Sequence, residues 1–212
     1  SVAVGDVSGD GYPDVVAGAR GYSSDTGRVY VFHSTGSLGV IATLAASAST
    51  RITGEATSVF GRSVATGDIN GDGYADVVAG GFSEDMGRVY IFHSTGPAGV
   101  TATLAVSART VITGDATSAF GYSVTTGDVN GDGTTDLVAG AYGYGSSTGG
   151  VYVFHSAGSL GVTATAATAA STAIIGQAAG HQFGFSVAAG DVNGDGYMDV
   201  VAGAVGYSST TG

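Results

Sequence analysis

Cysteine and lysine are both absent from the 212 residues, and charged residues of either sign make up only 11 % of the chain. Without cysteine there is no disulfide, no thiolate metal ligand and no cysteine nucleophile, and the redox compartment is left open. Basic charge is confined to six arginines against 17 acidic residues, a net charge of -11 at pH 7. That balance argues against a nucleic-acid partner, because phosphate contacts need a basic patch. No run of 18 apolar residues occurs, and alanine and threonine alternate even in the least charged stretch, 158–180, so no membrane span is expected. The chain starts Ser1-Val2-Ala3 with no basic and apolar leader. A secretion signal is therefore expected to have been removed or to lie outside this segment. In place of charge the chain carries 47 serines and threonines, a polar surface suited to the cell exterior.

Glycine is what the chain has in excess, 39 of 212 residues, more than twice the roughly 7 % of ordinary usage. Such a load disfavours long helices, and much of it is periodic. The segment SVAVGDVSGDGYPDVVAGA from Ser1 returns as SVATGDINGDGYADVVAGG from Ser63, SVTTGDVNGDGTTDLVAGA from Ser123 and SVAAGDVNGDGYMDVVAGA from Ser186. Each of the first three copies leads, through a Gly/Ser turn, to RVYVFHSTG, RVYIFHSTG or GVYVFHSAG, and the repeats end in RITGEATSVFG, VITGDATSAFG or IIGQAAGHQFG. The boundaries read as 1–62, 63–122 and 123–185, with a partial fourth repeat at 186–212 that stops before its expected VYVF.

Within a repeat, the runs SVAVGDV, DVVAGA and VYVFHS are β-branched and aromatic and are bounded by Gly, Asp and Ser, which predicts strands. A fourth strand is expected around Arg51-Ile52-Thr53, Val111-Ile112-Thr113 and Ile174-Ile175. Four short antiparallel strands per roughly 60 residues cannot bury both sheet faces alone, so successive sheets should stack as propeller blades, about 3.4 of them here. A parallel β-helix is the structural alternative, but its repeats are much shorter.

Between the first two strands each repeat carries D-x-[NS]-x-D-G-x-x-D: Asp6, Ser8, Asp10, Asp14; Asp68, Asn70, Asp72, Asp76; Asp128, Asn130, Asp132, Asp136; Asp191, Asn193, Asp195, Asp199. These loops hold 12 of the 17 acidic residues. Three carboxylates within nine residues repel one another unless a cation neutralises them. Hard oxygen donors at alternate positions with Gly at position 6 match the ligand logic of Ca²⁺. The expected sites number up to four, with the position-7 carbonyls of Tyr12, Tyr74, Thr134 and Tyr197 as further ligands. Mg²⁺ demands a stricter octahedron, and Zn²⁺ recruits His or Cys, neither of which falls in these loops. An EF-hand would need a Glu at position 12 and a helix, whereas Ala17, Ala79, Ala139 and Ala202 stand there inside strand-like runs. A solvated, metal-free hairpin is the bland alternative. Ser8, a poorer donor than Asn, marks the first loop as the weakest.

The repeats resemble the FG-GAP repeats of integrin α-subunit propellers and related extracellular proteins. The residues that carry the resemblance are Phe60-Gly61, Phe120-Gly121 and Phe183-Gly184, the acidic loops, and the Ala-Gly-Ala triplets at Ala17, Ala139 and Ala202, with Gly81 replacing the last alanine in the second copy. The proline common after this triplet is absent; Arg20, Phe82, Tyr142 and Val205 take its place. The resemblance implies calcium in the loops and a seven-bladed ring, of which this chain would supply about half.

His33, His93 and His155 recur in the FHS segment, which is how a structural residue behaves, and His181 stands in an insertion. No G-x-S-x-G elbow occurs. The leading expectation is a noncatalytic calcium-binding module of an extracellular surface protein, with a protein or glycan ligand. The alternatives are a self-associating fibre or surface-layer subunit and a calcium-dependent polysaccharide lyase. Because 186–212 lacks its later strands, the edge near Val200 to Ala204 is expected to be completed by further blades or by a neighbouring subunit.

Overall fold

A computed structural model of the chain describes residues 1–82 and 86–207; the last five residues of the partial repeat lie outside them. The first sheet is formed by β1 (Val2–Gly5), β2 (Asp14–Ala19), β3 (Arg28–Phe32) and β4 (Thr50–Thr53), and the second by β5 (Ser63–Gly67), β6 (Asp76–Phe82), β7 (Met86–Phe92) and β8 (Thr110–Ala116). The third comprises β9 (Phe120–Gly127), β10 (Asp136–Ala141), β11 (Gly150–Phe154) and β12 (Thr172–Ile175), while β13 (Phe183–Gly190) and β14 (Asp199–Ala204) pair as a two-stranded sheet. Every four-stranded sheet is an antiparallel meander in sequence order. The chain is all-β and its sheets are propeller blades. The fourth strand, the least distinct in sequence, is present in all three.

Register explains the packing. Val16 stands opposite Val31, Val78 opposite Ile91 and Val138 opposite Val153 in the first three sheets, and all but Val153 of these are wholly buried. Alternate residues on two-faced strands point to opposite sides, so each central strand feeds two interfaces. One core joins the first and second blades through Val29, Ile52, Phe60 and Tyr90. A second joins the next pair through Ile91, Ile112, Phe120 and Tyr152, and a third lies around Val138 and Val151 against Val187 and Val200. Phe60 and Phe120 are wedges between blades. Phe60 meets Tyr90 edge-on at 5.3 Å, and Phe120 meets Tyr152 edge-on at 5.7 Å, geometries that add to the burial of the rings themselves.

The glycine after each wedge has a specific partner. A Cβ on Gly18 would lie 2.1 Å from the Gly61 carbonyl oxygen, one on Gly80 1.9 Å from that of Gly121, and one on Gly140 2.0 Å from that of Gly184. The Phe-Gly of one blade therefore seats its backbone against the Ala-Gly of the blade before it, which places the first strands side by side. Hydroxyls fasten the same seam: Thr66 Oγ1 donates to the Val4 carbonyl at 2.9 Å and Thr126 Oγ1 to the Thr66 carbonyl at 2.8 Å.

Candidate functional site

The acidic loops connect β1 to β2, β5 to β6, β9 to β10 and β13 to β14, so the meander sets all four at corresponding ends of successive blades. Their turn is possible because positions 4 and 6 are glycines with positive φ, for example Gly71 at 70° and Gly73 at 90°, a region costly for other residues. The carboxylate at position 1 accepts the backbone N–H groups of positions 5 and 6, and in the third and fourth loops that of position 4 as well. Asp68 Oδ1 receives the Asp72 amide at 3.0 Å and Oδ2 the Gly73 amide at 2.8 Å. Asp6, Asp128 and Asp191 repeat this pair. Position 5 then accepts the amide of position 7, through Asp10, Asp72, Asp132 and Asp195 onto Tyr12, Tyr74, Thr134 and Tyr197. In the last three loops the position-3 side chains of Asn70, Asn130 and Asn193 donate Nδ2 to the second oxygen of that same Asp.

Ser8 makes no such bond, and its Oγ is buried without a partner. The first loop also closes differently, with the Ser8 amide on Asp14 Oδ2 at 2.8 Å, where the others use the position-2 amide of Ile69, Val129 or Val192.

Position 9 lies deep in the first three loops and is half-buried in the fourth, at Asp199. Asp14, Asp76 and Asp136 are wholly buried, yet the one salt bridge among the described residues is Arg88 to Glu55, elsewhere. Burial pushes the Asp76 carboxyl up to about 7; the Ser94 and Ile69 amides oppose this, and the charges of Asp72 and Asp68 add to it. Burial raises Asp136 in the same direction. In the exposed part of the loop the sign reverses: the Thr134 hydroxyl and amide lower Asp132, and backbone amides led by that of Gly196 lower Asp191.

These carboxylates do not converge on one another. Among the described residues no three acidic or imidazole side chains form a cluster that could hold an ion unaided. Positions 1, 3 and 5 meet through hydrogen bonds, and position 9 stands apart at the start of the second strand. The donor chemistry nevertheless suits a hard cation: all donors are oxygen, and each carboxylate oxygen retains acceptor capacity. The buried position-9 carboxylates also lack a salt-bridged cationic side chain, an arrangement that is costly for a charged group.

A pH test follows. A raised folded-state pKa costs stability as pH climbs from the unfolded value, about 4, to the folded one. The metal-free chain should lose stability between about pH 4 and pH 7 through Asp76, whereas the lowered Asp132 and Asp191 act in the opposite sense below that window. Urea midpoints measured across the window should slope less steeply in Asp76→Asn than in the parent; equal slopes would refute the assignment.

Two groups of residues in the site were not anticipated. The serines of the FHS segment donate their amides to position 9, Ser34 to Asp14 at 2.7 Å, Ser94 to Asp76 at 2.8 Å and Ser156 to Asp136 at 2.9 Å. The position-8 amides of Ala75, Thr135 and Met198 donate to the position-1 carbonyls of the preceding loop, Asp6, Asp68 and Asp128. The repeated serine was visible in the sequence beside the histidine. The histidines do not converge: His33 and His93 lie against Gly99 and Gly161 of the following blade, and His155 is exposed. Two of the three position-7 rings pack between blades, Tyr74 over Gly9 and Tyr197 over Gly131, while Tyr12 is exposed near Gly36 of its own blade.

Comparison with known proteins agrees with the repeat architecture. The FG-GAP repeat model matches residues 120–154 and 183–212, and the FG-GAP-like repeat model matches residues 6–79. Integrin alpha-7 of Mus musculus is 34 % identical over 66 % of the chain and 12 % of its own length. Integrin alpha-V of Gallus gallus is 32 % identical over 99 % of the chain and 20 % of its own length. The chain thus spans a fifth or less of these relatives.

Proposed function

Because the chain belongs to the FG-GAP repeat family, we propose that it is a noncatalytic, calcium-stabilised propeller module for adhesion or protein-ligand binding at the exterior of the cell, within a larger surface protein. The observation that carries the calcium reading is the fourfold loop, with position-9 carboxylates that are wholly buried in the first three copies and that, among the described residues, no arginine neutralises. Asp68, Asn70, Asp72 and Asp76, with the Tyr74 carbonyl, would hold the ion in the second loop, and the corresponding residues would do so in the others. Bound calcium supplies positive charge that offsets the crowded carboxylates; four ions would bring the net charge from -11 to about -3. The residues of the chain do the rest. Position-1 and position-5 carboxylates hold the turn through backbone amides, and position 9 ties the turn to the sheet.

The likeness to integrin alpha subunits supports the adhesion reading. The same relatives and the weakly charged surface support an exterior location; among the described residues no helix is long and apolar enough to cross a membrane. The module reading also fits a scaffold whose repeated chemistry lies wholly in the loops. Elemental analysis of the calcium-saturated chain should return four ions, and of Asp72→Ala three. Four ions in the variant would overturn the assignment of Asp72. Immobilised extracellular-matrix proteins and a glycan array, each probed in calcium and in chelator, test the binding function. Calcium-dependent capture supports it, while cleavage of a sugar polymer would favour the lyase.

A further inference from the structure

We infer that the acidic loops form one coupled array, and that Ser94 and Ser156 are the positioning residues that join the first loop to the second and the second to the third; this rests on the calcium reading above. Ser94 has two bonds of opposite destination. Its amide donates to Asp76 of its own blade at 2.8 Å, and its hydroxyl donates to the Val7 carbonyl in the preceding loop at 2.6 Å. That carbonyl belongs to the peptide unit whose other end, the Ser8 amide, donates to Asp14. Ser156 repeats the arrangement one blade on. Its amide donates to Asp136 and its hydroxyl to the Ile69 carbonyl, and the Ile69 amide donates to Asp76. A path of hydrogen bonds linked by short covalent steps therefore runs from Asp14 through the Val7-Ser8 peptide and Ser94 to Asp76, and on across the Ile69 Cα and Ser156 to Asp136.

The path is shielded from water: the three aspartates are wholly buried, Ser94 is 4 % exposed and Ser156 9 %. Hydrogen bonds in such surroundings are strong and polarise one another. A second link runs alongside it. The Ala75 amide donates to the Asp6 carbonyl at 2.9 Å and the Thr135 amide to the Asp68 carbonyl at 3.2 Å. Ala75 stands between the Tyr74 carbonyl and Asp76, both proposed ligands, so the first residue of one loop fixes the last third of the next. Ordering position 1 in one loop thereby places positions 7 to 9 in its neighbour. Such coupling is reciprocal: whatever one loop does to its neighbour's affinity, the neighbour does in return.

The test is a calcium titration of the full chain, followed by calorimetry and by the amide resonances of the position-6 glycines Gly11, Gly73, Gly133 and Gly196, one in each loop. Asp72→Ala should weaken calcium binding in loops 1 and 3 by about 5-fold or more, the lower end of ordinary coupling, and should affect the non-adjacent loop 4 less. Ser94→Ala removes no ligand. It should reduce affinity in loops 1 and 2 and leave the link between loops 3 and 4 intact, and Ser94→Thr, which keeps the hydroxyl, should restore it. If loops 1 and 3 of Asp72→Ala fill at parental calcium concentrations, or Ser94→Ala weakens all loops equally, the coupling is wrong while the calcium reading stands. A parent chain that takes up no calcium would sink the calcium reading itself.

Discussion

Excess chelator is expected to lower the unfolding temperature of the calcium-loaded chain by well over 10 °C. An ion that binds the folded but not the unfolded chain stabilises it by RT ln(1 + [L]/Kd). The loops lack the bidentate Glu of an EF-hand, so their affinity should fall in the weak range of extracellular modules, on the order of 10⁻⁴ to 10⁻³ M. At about 10 mM calcium each site then contributes about 1.4 to 2.7 kcal/mol. Four sites acting on a chain of this size, at about 2 to 4 °C for each kcal/mol, carry the shift past 10 °C. Calorimetric scans in calcium and in chelator read it directly, and superimposable scans would rule out a stabilising ion. Magnesium at equal concentration should restore less, because its stricter octahedron suits a loop of mixed donors poorly.

The strands and loops were legible in the sequence because both are local. Alternation over DVVAGA and VYVF sets which residues face a neighbouring sheet, and the Asp, Asn and Gly of each loop act within nine residues of one another. The fourth strand was harder to read because it is short and buries few apolar side chains: in Thr50–Thr53 only Ile52 does so, beside the exposed Arg51. What sequence could not show was which partner each repeated residue meets. Phe60 and Gly61 read as one motif, yet the ring serves the core between two blades and the glycine serves the backbone of the blade before it. The FHS segment drew attention to its histidine, the residue with catalytic potential, although the serine makes the two bonds that join the loops. His33 and His93 each bury Nε2 without a hydrogen-bond partner and pack against a glycine. Residues that act across an interface carry no local signature beyond their recurrence, which is why the repeat located them without assigning them.

The largest effect of a single substitution should come from Gly80→Ala, because the added methyl has nowhere to go. Its Cβ would stand 1.9 Å from the Gly121 carbonyl oxygen and 2.4 Å from Ser63 Oγ. The serine hydroxyl can rotate, but the carbonyl cannot: it belongs to a residue at φ 78°, and Gly121 is itself pressed against the Arg88 carbonyl, 2.6 Å from where its own Cβ would lie. Relief therefore requires the second and third blades to separate along the seam where β5 meets β9. That movement would draw Phe120 away from Ile91 and Ile112 of the second blade and break the bond from Ser63 Oγ to the Gly121 carbonyl. Overpacking in a well-filled core costs about 1 to 3 kcal/mol when side chains absorb it. With backbone on both sides the cost should reach or pass the upper figure, a fall of about 6 to 12 °C in a chain of this size. Gly21→Ala is the control, since a Cβ there meets nothing within 4 Å and its φ is not positive, and it should melt within a degree or two of the parent. A Gly80→Ala variant as stable as Gly21→Ala would show that the blades are not seated glycine against glycine.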